Sequence, residues 1–494
     1  MTRVAPNKVI HTAVSAPGAG KTQSLISQIP SLLSAGRAIV LALPTIKLTD
    51  SVTSRIPAGV SYRVVNSTTC DHVGSALQTA LVQKSVQLLI TTHQSIFTLE
   101  PSLLSGWVLV IDELPPVADF PALPFEPSEL TQLLINAEEF EGRLYIREGC
   151  AETIETSLET FKAAQARTER TSMLSKEGAC IYECLLEGHP VFIDAEMVNG
   201  KRYVRSIVEK SCWKTFEAAD EVHVLAANVK GSLFDIFAQT HGFTYTTSIF
   251  TPIFEGYTSP VTIYPVMPEG RIFSKTAVCM AASASIPTDN NPYGEQVLDV
   301  ILKNSLQQTI GIPLLFSSSW AGFGWLKGGN VHRCSIDCRG LNEYQDTTDA
   351  ILLFGGNPSP SDEQALTYLA EKYGRDFRQG FIVSRLLEPS LQAATRTAVR
   401  DRCNTKPIQL IVQDGRVADY LVSTHMPHAV VDWGLSDLIP VAQDRRTIQD
   451  PRKSKAFELF AGGLTKNAEV SARTGAHRNS IGKWKKEWQM SLVA

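Results

Sequence analysis

Two short stretches carry residue types that could handle a nucleotide. The first runs Ser15-Ala16-Pro17-Gly18-Ala19-Gly20-Lys21-Thr22. Glycines in such a turn let backbone N–H groups converge on phosphate oxygens, and a helix starting just after adds its dipole. Lys21 would then reach the β- and γ-phosphates of ATP, and Thr22 would offer a hydroxyl to Mg2+. Ser15 stands where the usual pattern has glycine. A small residue suffices there, because the constraint is close backbone approach rather than a special torsion. The second stretch is Val108-Leu109-Val110-Ile111-Asp112-Glu113, four apolar residues and then two carboxylates. A buried strand ending in Asp-Glu sets both at the carboxyl edge of a sheet. Asp112 would hold the metal ion through water, and Glu113 would orient and deprotonate an attacking water.

These groups need strands and helices to hold them. "KVIHTAV" reads as a strand leading into the glycine turn, and "KTQSLISQIPSLLSAG" as the helix after it. "AIVLALP", "YRVVN", "QLLITTH" and "WVLVIDE" read as further strands. Continuous Val/Ile/Leu runs separated by helices predict a parallel sheet covered on both faces. Residues from about 115 to 220 carry helical periodicity and many polar residues, which predicts a mostly helical insertion ending at the strand "EVHVLAANV". A second α/β series starts near Thr251, with "RIFSKTAVCMAA", "IPLLFSSS", "VHRCSID", "TDAILLFGG" and "PIQLIVQ" as strand-like segments. Length and pattern divide the chain into 1–250, 251–445 and 446–494.

The order of short motifs resembles the superfamily 2 helicases and translocases over roughly residues 10–440. That resemblance implies two RecA-like P-loop lobes with ATP between them. It places Pro44 and Thr45 of "LALPTIKLTDSV", and Thr91, Thr92 and His93 of "LLITTHQSI", against a nucleic-acid backbone. "VHVLAANVKG" lies where the family has Ser-Ala-Thr, but this chain has Ala226-Ala227-Asn228, without the hydroxyls that link ATP state to the second lobe. "SIDCRGLNEYQD" resembles the fifth motif, with Asp337, Arg339 on nucleic acid, and Gly340 and Asn342 on nucleotide. "SLQAATRTAVRD" resembles the sixth, with Gln392 on nucleotide and Arg396 and Arg400 crossing the cleft to the γ-phosphate. The two arginines are four residues apart where the family has three, and Arg400 is the first choice as finger.

The last residues differ in charge from the rest. From Pro451 on there are nine Lys and Arg against three Asp and Glu, while the remainder carries 37 against 47. Such asymmetry often marks a nucleic-acid-binding tail. The tail predicts a small helix-turn-helix unit, with Arg478, Asn479 and Ser480 facing base edges and Lys483, Lys485 and Lys486 facing phosphate. Trp484 and Trp488 belong to its core. The expected partner is DNA, with other replication proteins a further possibility, in a bacteriophage or mobile element by analogy. Two other readings stand beside the motor: a terminase-like DNA packaging ATPase and a nucleotide-switched DNA-binding regulator. The nine cysteines, an odd number, point to reduced thiols. Two CxxxC pairs, Cys180/Cys184 and Cys334/Cys338, lack a framework that would complete a metal site. No apolar run reaches membrane length, and the N-terminus lacks the apolar core of a secretory signal, so a cytoplasmic protein without membrane contact is expected.

Overall fold

The side chains of the central strands alternate between two hydrophobic cores. Val40, Ala42, Leu109 and Ile111 enter one, and Ile39, Leu41, Val108 and Val110 the other. A strand apolar on both faces needs cover on both faces, and the structure, a computed structural model, supplies it with helices. Its described residues are 8–166, 174–195, 197, 200–210, 212–280, 282, 295–321, 323, 325, 326, 328–338, 343–439, 451–476 and 478–491.

The first lobe begins with β1 (Val9–Val14), β2 (Ile39–Leu43), β3 (Tyr62–Val64), β4 (Leu88–Thr92) and β5 (Val108–Asp112). An insertion follows with β6 (Ala118–Asp119), β7 (Ala122–Phe125), β8 (Ala137–Phe140), β9 (Arg143–Ile146), β10 (Val191–Ile193), β11 (Arg202–Ser206) and β12 (Val208–Glu209). The lobe is completed by β13 (Glu221–Ala226) and β14 (Thr244–Thr247). Its seven-stranded sheet runs β14-β1-β13-β5-β2-β4-β3, parallel throughout. The second lobe holds β15 (Val261–Pro265), β16 (Leu314–Ser317), β17 (His332–Cys334), β18 (Asp349–Leu353), β19 (Ile408–Val412) and β20 (Val430–Val431). Its six-stranded parallel sheet runs β17-β16-β18-β19-β15-β20. The molecule is thus α/β with two RecA-like lobes.

Two segments differ from the sequence expectation. The insertion has its helices, Pro127–Asn136, Ala151–Ala166 and Lys176–Leu186, but these pack on a five-stranded antiparallel sheet, β7-β11-β10-β9-β8. Its strands are short and rich in charge on the exposed side, as in Ala137-Glu138-Glu139-Phe140, so their alternation is faint in the sequence. In the second lobe, "RIFSKTAVCMAA" forms a short helix, Lys275–Val278, because Ser274 caps it by accepting from the Ala277 N–H at 3.2 Å.

The lobes share part of a core. The helices Pro360–Tyr373 and Phe377–Ile382 lie between strands of lobe two in sequence, yet Leu366, Leu369, Phe377 and Phe381 pack with Phe234 and Phe237 of lobe one. The main-chain N–H of Leu233 donates to Ser384 Oγ at 2.9 Å across the same seam.

His223 in β13 is 1% exposed. Its Nδ1 meets Ser248 Oγ and its Nε2 meets Glu221 Oε1, both at 2.8 Å. Burial pushes the imidazole down to about 4, against the pull of the Glu221 carboxylate. A histidine whose folded pKa lies below its unfolded value stabilises the fold above about pH 6.5 and loses that contribution as pH falls toward the folded value. Urea unfolding of the wild type is therefore expected to lose on the order of 2 kcal/mol more than His223→Gln between about pH 7.5 and about pH 5. Equal losses in the two proteins would remove His223 from the acid sensitivity.

Candidate active site

The carboxyl edge of the first sheet gathers the loops that follow β1, β2, β4, β5 and β13, the edge where α/β proteins bind ligands. After β1 the chain turns at Gly18 (φ 83°) and Gly20 (φ 93°) before the helix Lys21–Ser34. Both torsions lie in the left-handed region, which glycine adopts without a Cβ penalty. Ser15 is outside that region, so its side chain brings no strain. Its N–H donates to Ala226 O at 3.2 Å. Ala16 and Ala19 are buried, and Pro17 O accepts from Tyr257 Oη of lobe two at 2.7 Å.

Thr22 Oγ1 donates to Asp112 Oδ2 at 2.9 Å. Burial raises the Asp112 carboxyl above the ordinary carboxylate range, opposed by the Thr22 hydroxyl and the Lys21 charge. A hydroxyl and a carboxylate held together in a buried site match the donor set of a nucleotide-bound Mg2+. The Lys21 ammonium donates to Ser15 O at 2.5 Å and Ala16 O at 2.9 Å. Burial pushes it down to about 8, while Asp112, Glu388 and Glu113 pull the other way.

Glu113 has φ 67°, in the left-handed region that non-glycine residues rarely enter. Its N–H continues the ladder to Leu225 O at 2.8 Å, so the surrounding sheet fixes the strained backbone. Such strain clusters at functional sites. It turns the chain sharply just where the second carboxylate leaves the strand.

Lobe two completes the site. The helix Glu388–Ala394 carries the half-buried Gln392 and stops at Thr395, whose hydroxyl donates back to Leu391 O at 2.8 Å. A separate 3-10 turn, Ala398–Arg400, follows. The break explains the spacing of four: Arg396 and Arg400 do not ride on one continuous helix. Arg396 is buried, 7% exposed. The Arg400 side chain lies directly on the glycine turn, so a Cβ added at Gly18 would stand 2.9 Å from its Cγ. Burial first, and Arg396 beside it, push Arg400 down to about 10, still cationic near neutral pH. Its Nη2 donates to Thr395 Oγ1 at 3.4 Å, and its buried Nε has no hydrogen-bond partner among the described residues. An arginine seated on a glycine turn with a donor to spare fits an anionic ligand.

The nucleic-acid set divides. Pro44 and Thr45 are half-buried after β2, and Thr45 Oγ1 accepts from the Leu48 N–H at 3.2 Å as the cap of the helix Ile46–Thr53. Thr92 caps the helix His93–Phe97 in the same way, at 3.3 Å from the Ser95 N–H. Thr91 and His93 are 0% and 5% exposed, Thr91 donates to Val65 O at 2.9 Å, and the His93 ring lies against Phe97. Arg339, Gly340 and Asn342 lie outside the described residues. A cavity of about 240 Å³ opens between the lobes, lined by Lys47 of lobe one and Arg333, Ser335, Asp337 and Tyr344 of lobe two.

The C-terminal residues form the helices Pro451–Ala461, Asn467–Thr474 and Arg478–Ser491 around Phe460, Val470 and Ile481. Trp484 and Trp488 pack against that core. Arg478 is exposed and Ser480 half-buried, and the Lys485 ammonium donates to Thr465 O at 2.8 Å. The side chains of Asn479, Lys483 and Lys486 lie outside what is described. No described helix is long and apolar enough to cross a membrane.

Tyr257, Glu388 and Tyr420 belong to no motif yet line the cleft. Only Glu388 left a signal: it stands four residues before Gln392, one helical turn away on the same face.

No family model matches the chain, and no curated protein matches it. Among solved structures, Xpd4 of S. tokodaii is similar at 11% identity, over 86% of this chain and 96% of that one, with a TM-score of 0.49. Mss116p, solved with ssRNA and AMP-PNP, aligns over 92% of this chain and 78% of that one at 12% identity, with a TM-score of 0.27.

Proposed function

We propose that this chain is an ATP-dependent nucleic-acid translocase of the helicase kind, hydrolysing ATP between its two lobes. One observation supports it above the others: Arg400 of lobe two lies on the glycine turn of lobe one, the turn that leads to Thr22 and its hydrogen bond to Asp112. In this reading the glycine turn and Lys21 hold the phosphates of ATP, and Thr22 and Asp112 hold Mg2+, which supplies charge neutralisation when bound. Glu113 takes the proton of the attacking water. Arg400 stabilises the charge that develops on the γ-phosphate, with Arg396 beside it and Gln392 on the nucleotide. A site built from both lobes ties hydrolysis to their relative placement. Contacts at Pro44, Thr45, Thr92 and the cavity by Lys47 then shift along a phosphodiester backbone, largely without regard to sequence.

The finer reading is a cytoplasmic DNA motor serving replication or recombination of a bacteriophage or mobile element, with residues 446–494 docking on duplex DNA. The basic charge of that tail and the exposed Arg478 support it. Truncation before Pro451 is expected to weaken duplex binding about tenfold or more at low salt and to flatten its salt dependence. Undiminished duplex binding by the truncated chain would end the docking role. The motor itself is tested by ATP-dependent displacement of a labelled strand from a forked duplex. No displacement on DNA or RNA forks of either polarity would count against it.

A further inference from the structure

The cleft contains a buried carboxylate for which hydrolysis has no evident use. Glu388 opens the helix Glu388–Ala394, directly after a π-helical turn at Val383–Leu387. The helix before that turn packs into the lobe-one core through Phe377 and Phe381, and the helix after it packs into lobe two through Leu391, Ala393 and Ala394. Single π turns inside helices recur at functional bends. This one stands between a segment seated on lobe one and a segment seated in lobe two, and it delivers Glu388 into the cleft.

There the Lys21 ammonium and the Glu113 carboxylate act on Glu388 across the lobe boundary, and the neighbouring Tyr420 hydroxyl and Asn228 main chain favour its charged form. Its buried Oε1 has no hydrogen-bond partner among the described residues. Tyr420 Oη also accepts from Asn228 Nδ2 at 2.9 Å. One residue earlier, Ala227 O accepts from His425 Nε2 of lobe two at 2.8 Å. The hydroxyls of Ser-Ala-Thr are missing from this strand end, yet the same strand end is bound to lobe two through an amide, a carbonyl and a tyrosine.

We propose that Glu388 and Tyr420 are positioning residues that carry phosphate occupancy beside Lys21 into the placement of lobe two against lobe one. The proposal rests on the reading of Lys21 as an ATP-phosphate ligand. Three carboxylates, Asp112, Glu388 and Glu113, already act on the Lys21 ammonium. Arriving phosphates add negative charge at the same cation. Asp112 and Glu113 are fixed at the end of β5. Glu388 sits on the other lobe and is the group that can yield, by withdrawing or by taking up a proton. Burial pushes its carboxyl up to about 7, so protonation costs little near neutral pH. Either response changes the charge beside the Asn228–Tyr420 hydrogen bond, which joins the end of β13 in lobe one to the helix Gly415–Thr424 of lobe two.

The full-length chain tests this in Tyr420→Phe, which keeps the ring and removes the hydroxyl, and in Glu388→Gln. Two quantities are read: strand displaced per ATP hydrolysed, and the change in inter-lobe distance on adding a non-hydrolysable ATP analogue with Mg2+, from a dye pair with one dye on each lobe. Expected is a fall of about tenfold in strands displaced per ATP in both variants, a KM for ATP within about threefold of wild type, and a blunted distance change. Glu388→Asp should recover part of the loss. Wild-type values of both readouts in the variants overturn the proposal, as does a loss that appears only as a raised KM. If the wild type itself displaces no strand, the motor reading fails, and the distance change alone decides: blunted in Tyr420→Phe supports the coupling, equal to wild type overturns it.

Discussion

Glu113→Gln is expected to lower steady-state ATP hydrolysis by about a thousandfold while nucleotide still binds. Glutamine keeps the size and the polar contacts of the side chain but cannot accept a proton from water. General-base removal typically costs about 10²–10⁴ in rate. The backbone argues for the same residue: Glu113 holds a left-handed φ of 67° in a place where the ladder to Leu225 leaves it no freedom. Turnover measured beside equilibrium binding of a fluorescent ATP analogue separates the two effects. Loss of binding in proportion to loss of rate would make Glu113 a ligand-holding residue and not the base.

Arg400→Ala is expected to cost about a thousandfold in kcat, with a much smaller effect from Arg396→Ala. An arginine completing a phosphoryl-transfer site is worth about 10³–10⁵ in rate. Arg400 meets the requirement because its side chain is pressed onto Gly18 and its Nε has no hydrogen-bond partner among the described residues. Lysine should not rescue it, since a point charge lacks the planar fork of donors. A larger loss in Arg396→Ala than in Arg400→Ala would exchange their roles.

The glycine turn and the strand ending at Asp112 were legible because paired glycines and an apolar run closed by two carboxylates are local patterns along the chain. The parallel sheets were legible because strands such as Val108–Asp112 are apolar on both faces. The insertion's antiparallel sheet was not, since strands such as Ala137–Phe140 expose most of their residues and show no clean alternation. The burial of Thr91 and His93 was not legible for a different reason: it depends on tertiary packing that a local motif does not report. The spacing of Arg396 and Arg400 became intelligible only with the helix break at Thr395 in view. Glu388, Tyr420 and Asn228 lie far apart in sequence, and no local pattern shows that they meet.

A site built from both lobes should hydrolyse ATP in dependence on the nucleic acid bound between them. Steady-state hydrolysis by the full-length chain, with and without single-stranded DNA or RNA and with Glu113→Gln as control, tests it most directly. Stimulation of about tenfold or more by at least one of these strands, abolished in the control, is expected. A wild-type rate that is the same with and without nucleic acid would contradict it.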